Sequence, residues 1–231
     1  MFCLIMSNAK QLSFPEPKQH GGRRQGAGRK PSGPRAGLPH RARPKHSASH
    51  PVHVTMRARD GLPSLRSDAL LQKALREAIA CGHKSSFRVI HFSIQSNHLH
   101  LIVEANDTPS LSRGMQALSI RMVHAVHSAL GTAGRVFSDR YHAHELRTPR
   151  ETRNALLYVL QNWAKHGKGR GYDPASSASW FDGWSVPPPQ PDEPQIVARP
   201  RTWLVTLGWR RHGLLRPGER PREKLASGVI A

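Results

Sequence analysis

His91-Phe92-Ser93-Ile94-Gln95-Ser96-Asn97-His98-Leu99-His100-Leu101-Ile102-Val103-Glu104 is the part of the chain on which the rest depends. From Asn97 onward it alternates. In a strand, successive side chains point to opposite faces, so His98, His100, Ile102 and Glu104 share one face and Leu99, Leu101 and Val103 share the other. Phe87 to Gln95 reads as the preceding strand, with Ile90, Phe92 and Ile94 on one face, joined through a tight turn near Ser96-Asn97 to give an antiparallel hairpin. Two imidazoles held roughly 7 Å apart on one rigid face can converge on a single divalent metal. In a chain with 15 His, an incidental His-x-His is the competing explanation.

On the N-terminal side, Pro51 to Arg59 alternates Val52, Val54 and Met56 against His53, Thr55 and Arg57, the pattern of a half-buried strand. A turn at Asp60-Gly61-Leu62-Pro63 follows. The spacing of Leu70, Leu71, Ala74, Leu75, Ala78 and Ile79 predicts a helix from Ser67 to Cys81, with Ser67 or Asp68 as N-cap and Gly82 as stop. On the C-terminal side, Asn106 to Pro109 ends the strand and a helix runs from Ser110 to Gly131, with Arg113, Arg121, His124 and His127 as a cationic flank. A fourth strand is expected around 140–147, carrying a second alternating pair, His142 and His144. Arg150 to His166 then forms a helix whose polar stripe holds Asn154, Tyr158, Asn162 and Lys165 at i, i+4 and i+7/i+8 spacing. Strand, helix, hairpin, helix, strand, helix is the order of an α+β fold: a ferredoxin-like or RRM-like antiparallel sheet with helices on one face.

Composition sets the boundaries. The 231 residues suffice for one domain plus extensions, and 37% hydrophobic content with a mean hydropathy of −0.55 leaves part of the chain outside any core. Residues 1–49 form a basic, disordered arm rich in Gly, Pro and Ser. Within it, Gly21 to Pro31 is an AT-hook-like segment whose Arg23, Arg24, Arg29 and Lys30 suit either a narrow minor groove or any phosphate. Residues 50–166 are the folded domain. Residues 167–231 are an irregular C-terminal extension with a Pro-rich linker, and its Trp180, Phe181, Trp184, Trp203 and Trp209 are expected to dock on the domain or stack on bases. A net charge of +20 and a pI near 11.4 point to a polyanion, with nucleic acid favoured over a membrane surface because no long basic amphipathic helix is present. Cys3 and Cys81 are isolated, which argues against a disulfide framework or a Cys-based zinc site, and no apolar run approaches the ~20 residues that span a bilayer. The expected location is cytoplasmic.

Asn97-His98-Leu99-His100-Leu101 resembles the His-hydrophobic-His signature of HUH nucleases. Tyr158, on the helix after Phe137-Ser138-Asp139-Arg140-Tyr141-His142, resembles the catalytic tyrosine of the single-stranded-DNA transposases in that superfamily. With basic extensions on both sides, the chain is most similar to the REP-associated tyrosine transposases, over roughly residues 50–166. The resemblance implies the HUH nuclease fold and a bacterial, nucleoid-associated enzyme. It implies a metal-dependent transposase and site-specific endonuclease that cleaves and rejoins single-stranded or hairpin DNA, with repeated palindromic elements as candidate targets and a monomer or homodimer as the active form. Tyr158 would be the nucleophile, forming a covalent 5′-phosphotyrosine. His98 and His100, with Asn162 one helical turn after the tyrosine, would hold Mg²⁺ or Mn²⁺. Arg140 and Lys165 would contact DNA beside the basic arm.

Each assignment has a plainer counterpart. Tyr158 is otherwise a packing tyrosine, Asn162 an exposed helix residue, and Glu104 either a partner that orients an imidazole or a solvated strand end. Tyr141, His142 and His144 form a rival site. A non-catalytic, domesticated DNA-binding protein is the alternative function, and an RNA-binding sandwich ranks below it because the strands lack paired aromatics.

Overall fold

Side-chain alternation in β1 (Val52–Arg57) buries Val52, Val54 and Met56, while His53 and Thr55 are half-buried on the opposite face. The computed structural model describes residues 44–165, 171–189 and 191–219, all within the unit Leu38–Ala231. The remaining elements of the domain are α1 (Ala69–Ala80), β2 (Phe87–Ile94), β3 (His98–Ala105), α2 (Thr108–Leu130), β4 (His142–Glu145) and α3 (Pro149–Lys165). Their order is the expected one. The strands form one antiparallel sheet in the order β2-β3-β1-β4, the arrangement of a ferredoxin-like α+β fold.

Two apolar cores lie on the two faces of this sheet. Leu71, Leu75 and Ile79 of α1 and Met115, Leu118 and Met122 of α2 pack on Leu99, Leu101 and Val103, forming the helical layer on one face. The third helix, α3, crosses the other face, where Leu156, Val159 and Leu160 meet Ile90 and Ile102. That placement puts α3 on the side of the sheet that bears the histidines.

Several local expectations are corrected. Ile90 does not share a face with Phe92 and Ile94: the β2–β3 register shifts between Val89 and His91, and the bulge turns Ile90 toward α3. Leu70 is exposed, not part of the apolar stripe of α1. The cap of α1 is Asp68, whose carboxylate accepts from Leu71 N at 3.0 Å. α2 begins at Thr108 and not Ser110, because the Asp107 carboxylate accepts from Ser110 N at 2.7 Å and a proline is tolerated in a first turn. Glu104 is neither a solvated strand end nor a partner to an imidazole. It is buried, bonded to Arg88 at 2.9 Å, and accepts from the backbone of Arg201 and Thr202 and from the Thr202 hydroxyl.

The described part of the C-terminal extension docks on the sheet. Asp173 to Ser177 covers the β2 edge, with Ile94 N donating to Ala175 O and Ser177 N to Phe92 O. The short helix α4 (Trp203–Thr206) and the 3₁₀ turn Gly208–His212 lie against α3, and Phe181, Trp184 and Trp209 are buried in the same core as Leu156. At the other end, packing starts ahead of His50: the buried His46 ring bonds Glu145 at 2.8 Å and the Ala105 carbonyl at 3.0 Å. No helix among the described residues is long and apolar enough to cross a membrane.

Candidate active site

Strand register builds the site. β1 pairs with β3 so that Thr55 lies opposite His100 and Arg57 opposite His98. β4 continues the row, with His142 opposite Thr55 and His144 opposite His53. His98, His100, His53, His142 and His144 therefore share the α3-facing side of three adjacent strands.

The two histidines of the β3 motif stand side by side, with ring centroids 4.6 Å apart, and the Tyr158 ring lies 4.8 Å from that of His100. Tyr158 reaches this position because α3 packs its apolar side on Ile90 and Ile102, presenting the next stripe of the helix to the imidazoles. Burial pushes the Tyr158 phenol above its ordinary range. His100 is buried, and its Nδ1 lies 3.2 Å from Thr55 Oγ1 and 3.3 Å from His53 Nε2. The Nδ1 of His98 lies 2.7 Å from Asn97 Oδ1, an acceptor that selects the Nδ1–H tautomer. In both rings Nδ1 makes one of these contacts, and in a ring that donates from Nδ1–H the lone pair of Nε2 is the atom suited to a cation.

His53 adds a third imidazole, with its ring 5.3 Å from His100 and 5.8 Å from Tyr158. Its pKa is lowered to about 4, first by burial and then by the neighbouring His144 and His142, so the ring is neutral at pH 7. Sequence reasoning assigned no role to His53, Thr55 or Asn97. The signal was available in the alternation of β1, which sets His53 and Thr55 on one face, but that face reads as solvent until β3 is paired beside it.

Asn162 follows Tyr158 by one turn of α3. It is 2% exposed, so it is not the solvated helix residue of the plainer alternative, and among the described residues neither of its side-chain amide atoms has a hydrogen-bond partner. An amide buried in this state is costly unless something else comes to it. Among the described residues no group of three or more His, Cys, Asp or Glu forms a metal cage. A cation beside the two imidazoles would therefore need ligands beyond His, Cys, Asp and Glu.

The rival set is not assembled. His142 and His144 are exposed on β4, His144 bonded to Glu151 at 2.5 Å, whereas Tyr141 packs against the core on the opposite face of the sheet. Arg140 is exposed in the segment entering β4, and Lys165 is the last residue of α3. Arg23, Arg24, Arg29 and Lys30 of the AT-hook-like segment lie outside the described residues.

No family model matches the chain, and no curated protein sequence matches it. A solved structure does. The structure of a REP-associated tyrosine transposase bound to a REP hairpin superposes with a TM-score of 0.50 and 18% identity, covering 61% of this chain and 82% of the other. The sheet and helices of the chain thus have the fold of that transposase, and the likeness at this identity is one of fold.

Proposed function

We propose that the chain is a metal-dependent, single-tyrosine DNA nuclease and strand-transferase that acts on single-stranded or hairpin DNA. The observation that carries this reading is the meeting of the Tyr158 ring with the His98 and His100 imidazoles on one sheet face, 4.8 Å from the nearer ring. The net charge of +20 supports a polyanionic substrate, and the solved transposase of the same fold is bound to a REP hairpin.

In this reading the Tyr158 oxygen attacks a backbone phosphorus. A phosphotyrosine bond to the 5′ side forms as the bond to the 3′ oxygen breaks; the phenol loses its proton and the departing 3′ oxygen gains one. A 3′-hydroxyl from a second strand end reverses the step and rejoins DNA without ATP. An ordinary phenol, with pKa ~10, needs roughly 4 kcal/mol to ionise at pH 7, and burial of Tyr158 adds to that demand. His98, His100 and Asn162 would hold Mg²⁺ or Mn²⁺, and the unpartnered Asn162 amide is the feature of this chain that fits such a role. A divalent cation bound there supplies Lewis-acid neutralisation of charge on the scissile phosphate. Thr55, His53 and Asn97 hold the ring orientations of the two histidines. Arg140, Lys165 and the basic arm would bind the DNA backbone.

The experiment is a denaturing gel of labelled hairpin oligonucleotides with Mn²⁺. Wild type should give a protein-linked product, and Tyr158→Phe should lose it while retaining binding. An adduct that persists in the Phe variant removes Tyr158 as nucleophile. Metal-independent binding with no product in wild type establishes the non-catalytic alternative.

A further inference from the structure

Helix α3 is not regular where the candidate site needs it most. Gln161, between Tyr158 and Asn162, has φ −125° and ψ 19°, so two helical segments meet there at a kink. Helices kink at proline, at glycine or serine pairs, at π-bulges, or where an outside group enters the ladder. The local sequence Leu160-Gln161-Asn162-Trp163 offers none of the first two. What marks the kink is a hold from outside the helix on the side chain at its centre. The buried Gln161 side chain donates from Nε2 to Arg216 O at 2.8 Å, and its Oε1 accepts from Gly218 N at 2.5 Å.

The same C-terminal segment grips α3 a second time, two turns earlier on the same stripe. Arg153 donates to the carbonyls of Gly213 and Leu214 and forms a paired bond with Glu219 at 2.8 and 2.9 Å. Leu215 between these contacts is fully buried in the α3-side core. Residues 213–219 therefore lie along the helix from Arg153 to Gln161, behind the stripe that carries Tyr158 and Asn162.

We propose that this segment positions the working face of α3, with Gln161 as the positioning residue: its two bonds to the tail hold the kink that sets Asn162 relative to Tyr158. The inference rests on the reading of Tyr158 and Asn162 as nucleophile and ligand. Gln161 itself touches neither substrate nor cation. Its effect runs through the backbone at Asn162, and the tail is thereby part of the site although it contributes no reacting group.

The test uses the full-length protein. Gln161→Met keeps the side-chain length and loses both tail bonds; Gln161→Glu keeps the acceptor for Gly218 N and loses the donor to Arg216 O; Arg153→Leu loosens the segment from the other end. Mn²⁺ affinity is read from the electron paramagnetic resonance signal of the free ion, and the adduct rate at saturating hairpin DNA is measured alongside DNA affinity. Gln161→Met is expected to lower both Mn²⁺ affinity and the saturated rate by about tenfold or more, with DNA affinity within about twofold of wild type. Gln161→Glu should fall between, and Arg153→Leu should shift the same two quantities in the same direction. A generally destabilised protein would lose DNA affinity and circular dichroism as well; should Gln161→Met do so, Gln161→Glu and Arg153→Leu decide the matter. Wild-type values of rate and Mn²⁺ affinity in the folded variants overturn the inference while leaving the proposed function in place. A wild-type protein that neither binds Mn²⁺ nor forms an adduct overturns both.

Discussion

Replacing Asn162 with leucine should make the protein more stable without metal and less stable, relative to wild type, with it. Leucine has the same branching and heavy-atom count but no polar atoms. Both Asn162 amide atoms are buried without a partner among the described residues, and a buried polar group left unsatisfied costs about 1–3 kcal/mol. Leucine removes that penalty and adds buried apolar surface, against roughly 1 kcal/mol or more for fitting larger methyl groups into a packed site. The expected balance is a gain of about 1 kcal/mol in EDTA, measured by urea unfolding at pH 7. Excess Mn²⁺ binds only a native protein that retains its ligands. At a hundred times the dissociation constant it stabilises wild type by about 2.7 kcal/mol, and the order of the two proteins reverses. If the Leu variant is the weaker one in EDTA, the amide is satisfied in the native protein and is not held for a ligand. If Mn²⁺ stabilises both proteins equally, Asn162 is no ligand.

Three further outcomes follow from the packing. Glu104→Ala leaves Arg88 buried without its charge and releases the Arg201–Thr202 backbone, so unfolding should cost about 3–5 kcal/mol less; a loss under about 1 kcal/mol would mean that the anchor is not made in solution. Gly114→Ala would set a Cβ 2.2 Å from Phe87 Cγ where α2 crosses β2, so a change that ordinarily favours a helix should instead destabilise by about 1–3 kcal/mol. His91 is held neutral by burial with its pKa lowered to about 3. Native and unfolded states bind equal protons above the ordinary value of about 6.5, and below it only the unfolded chain takes one, so stability falls from there toward pH 3. The wild type should lose about 2 kcal/mol more than His91→Gln between pH 7.5 and pH 5 in urea titrations, and parallel curves would refute the assignment.

Much of the architecture was legible because its periods are clean. Leu99, Leu101 and Val103 against His98 and His100 can only be a strand with one apolar face, and Leu71, Leu75 and Ile79 can only be a helical stripe. The meeting of His98, His100 and Tyr158 was expected from the resemblance to HUH nucleases: alternation fixes the face of the first two, but no period in the sequence says which face of the sheet α3 covers. What escaped depends on contacts distant in sequence. Nothing in Val89-Ile90-His91 announces a bulge, since all three residues suit a regular strand. Glu104 read as a partner to an imidazole or a solvated strand end because its partners Arg201 and Thr202 lie about a hundred residues away, and a buried carboxylate is legible only with its donors in place. Arg216 lies in the extension expected to be irregular. Its carbonyl instead caps the Gln161 side chain, a contact that periodicity cannot encode because neither residue belongs to a repeating pattern.

The two ends of β3 explain how the fold carries a polar, incompletely satisfied site. Toward Ala105, the α3-facing side is spent on structure: Ile102 enters the apolar core, and Glu104 ties Arg88 to the C-terminal extension. Toward His98, the same face bears the imidazoles and the Tyr158 phenol. The reverse face is apolar along the whole strand, from Leu99 to Ala105. The reverse core, Leu99 included, and the Glu104 anchor hold β3 through groups other than the two imidazoles, so the fold does not depend on His98 and His100 for its apolar packing. The extension completes this division. It buries Phe181, Trp184, Trp209 and Leu215 against α3, and its bonds to Arg153 and Gln161 hold the helix from the side away from the sheet's imidazoles.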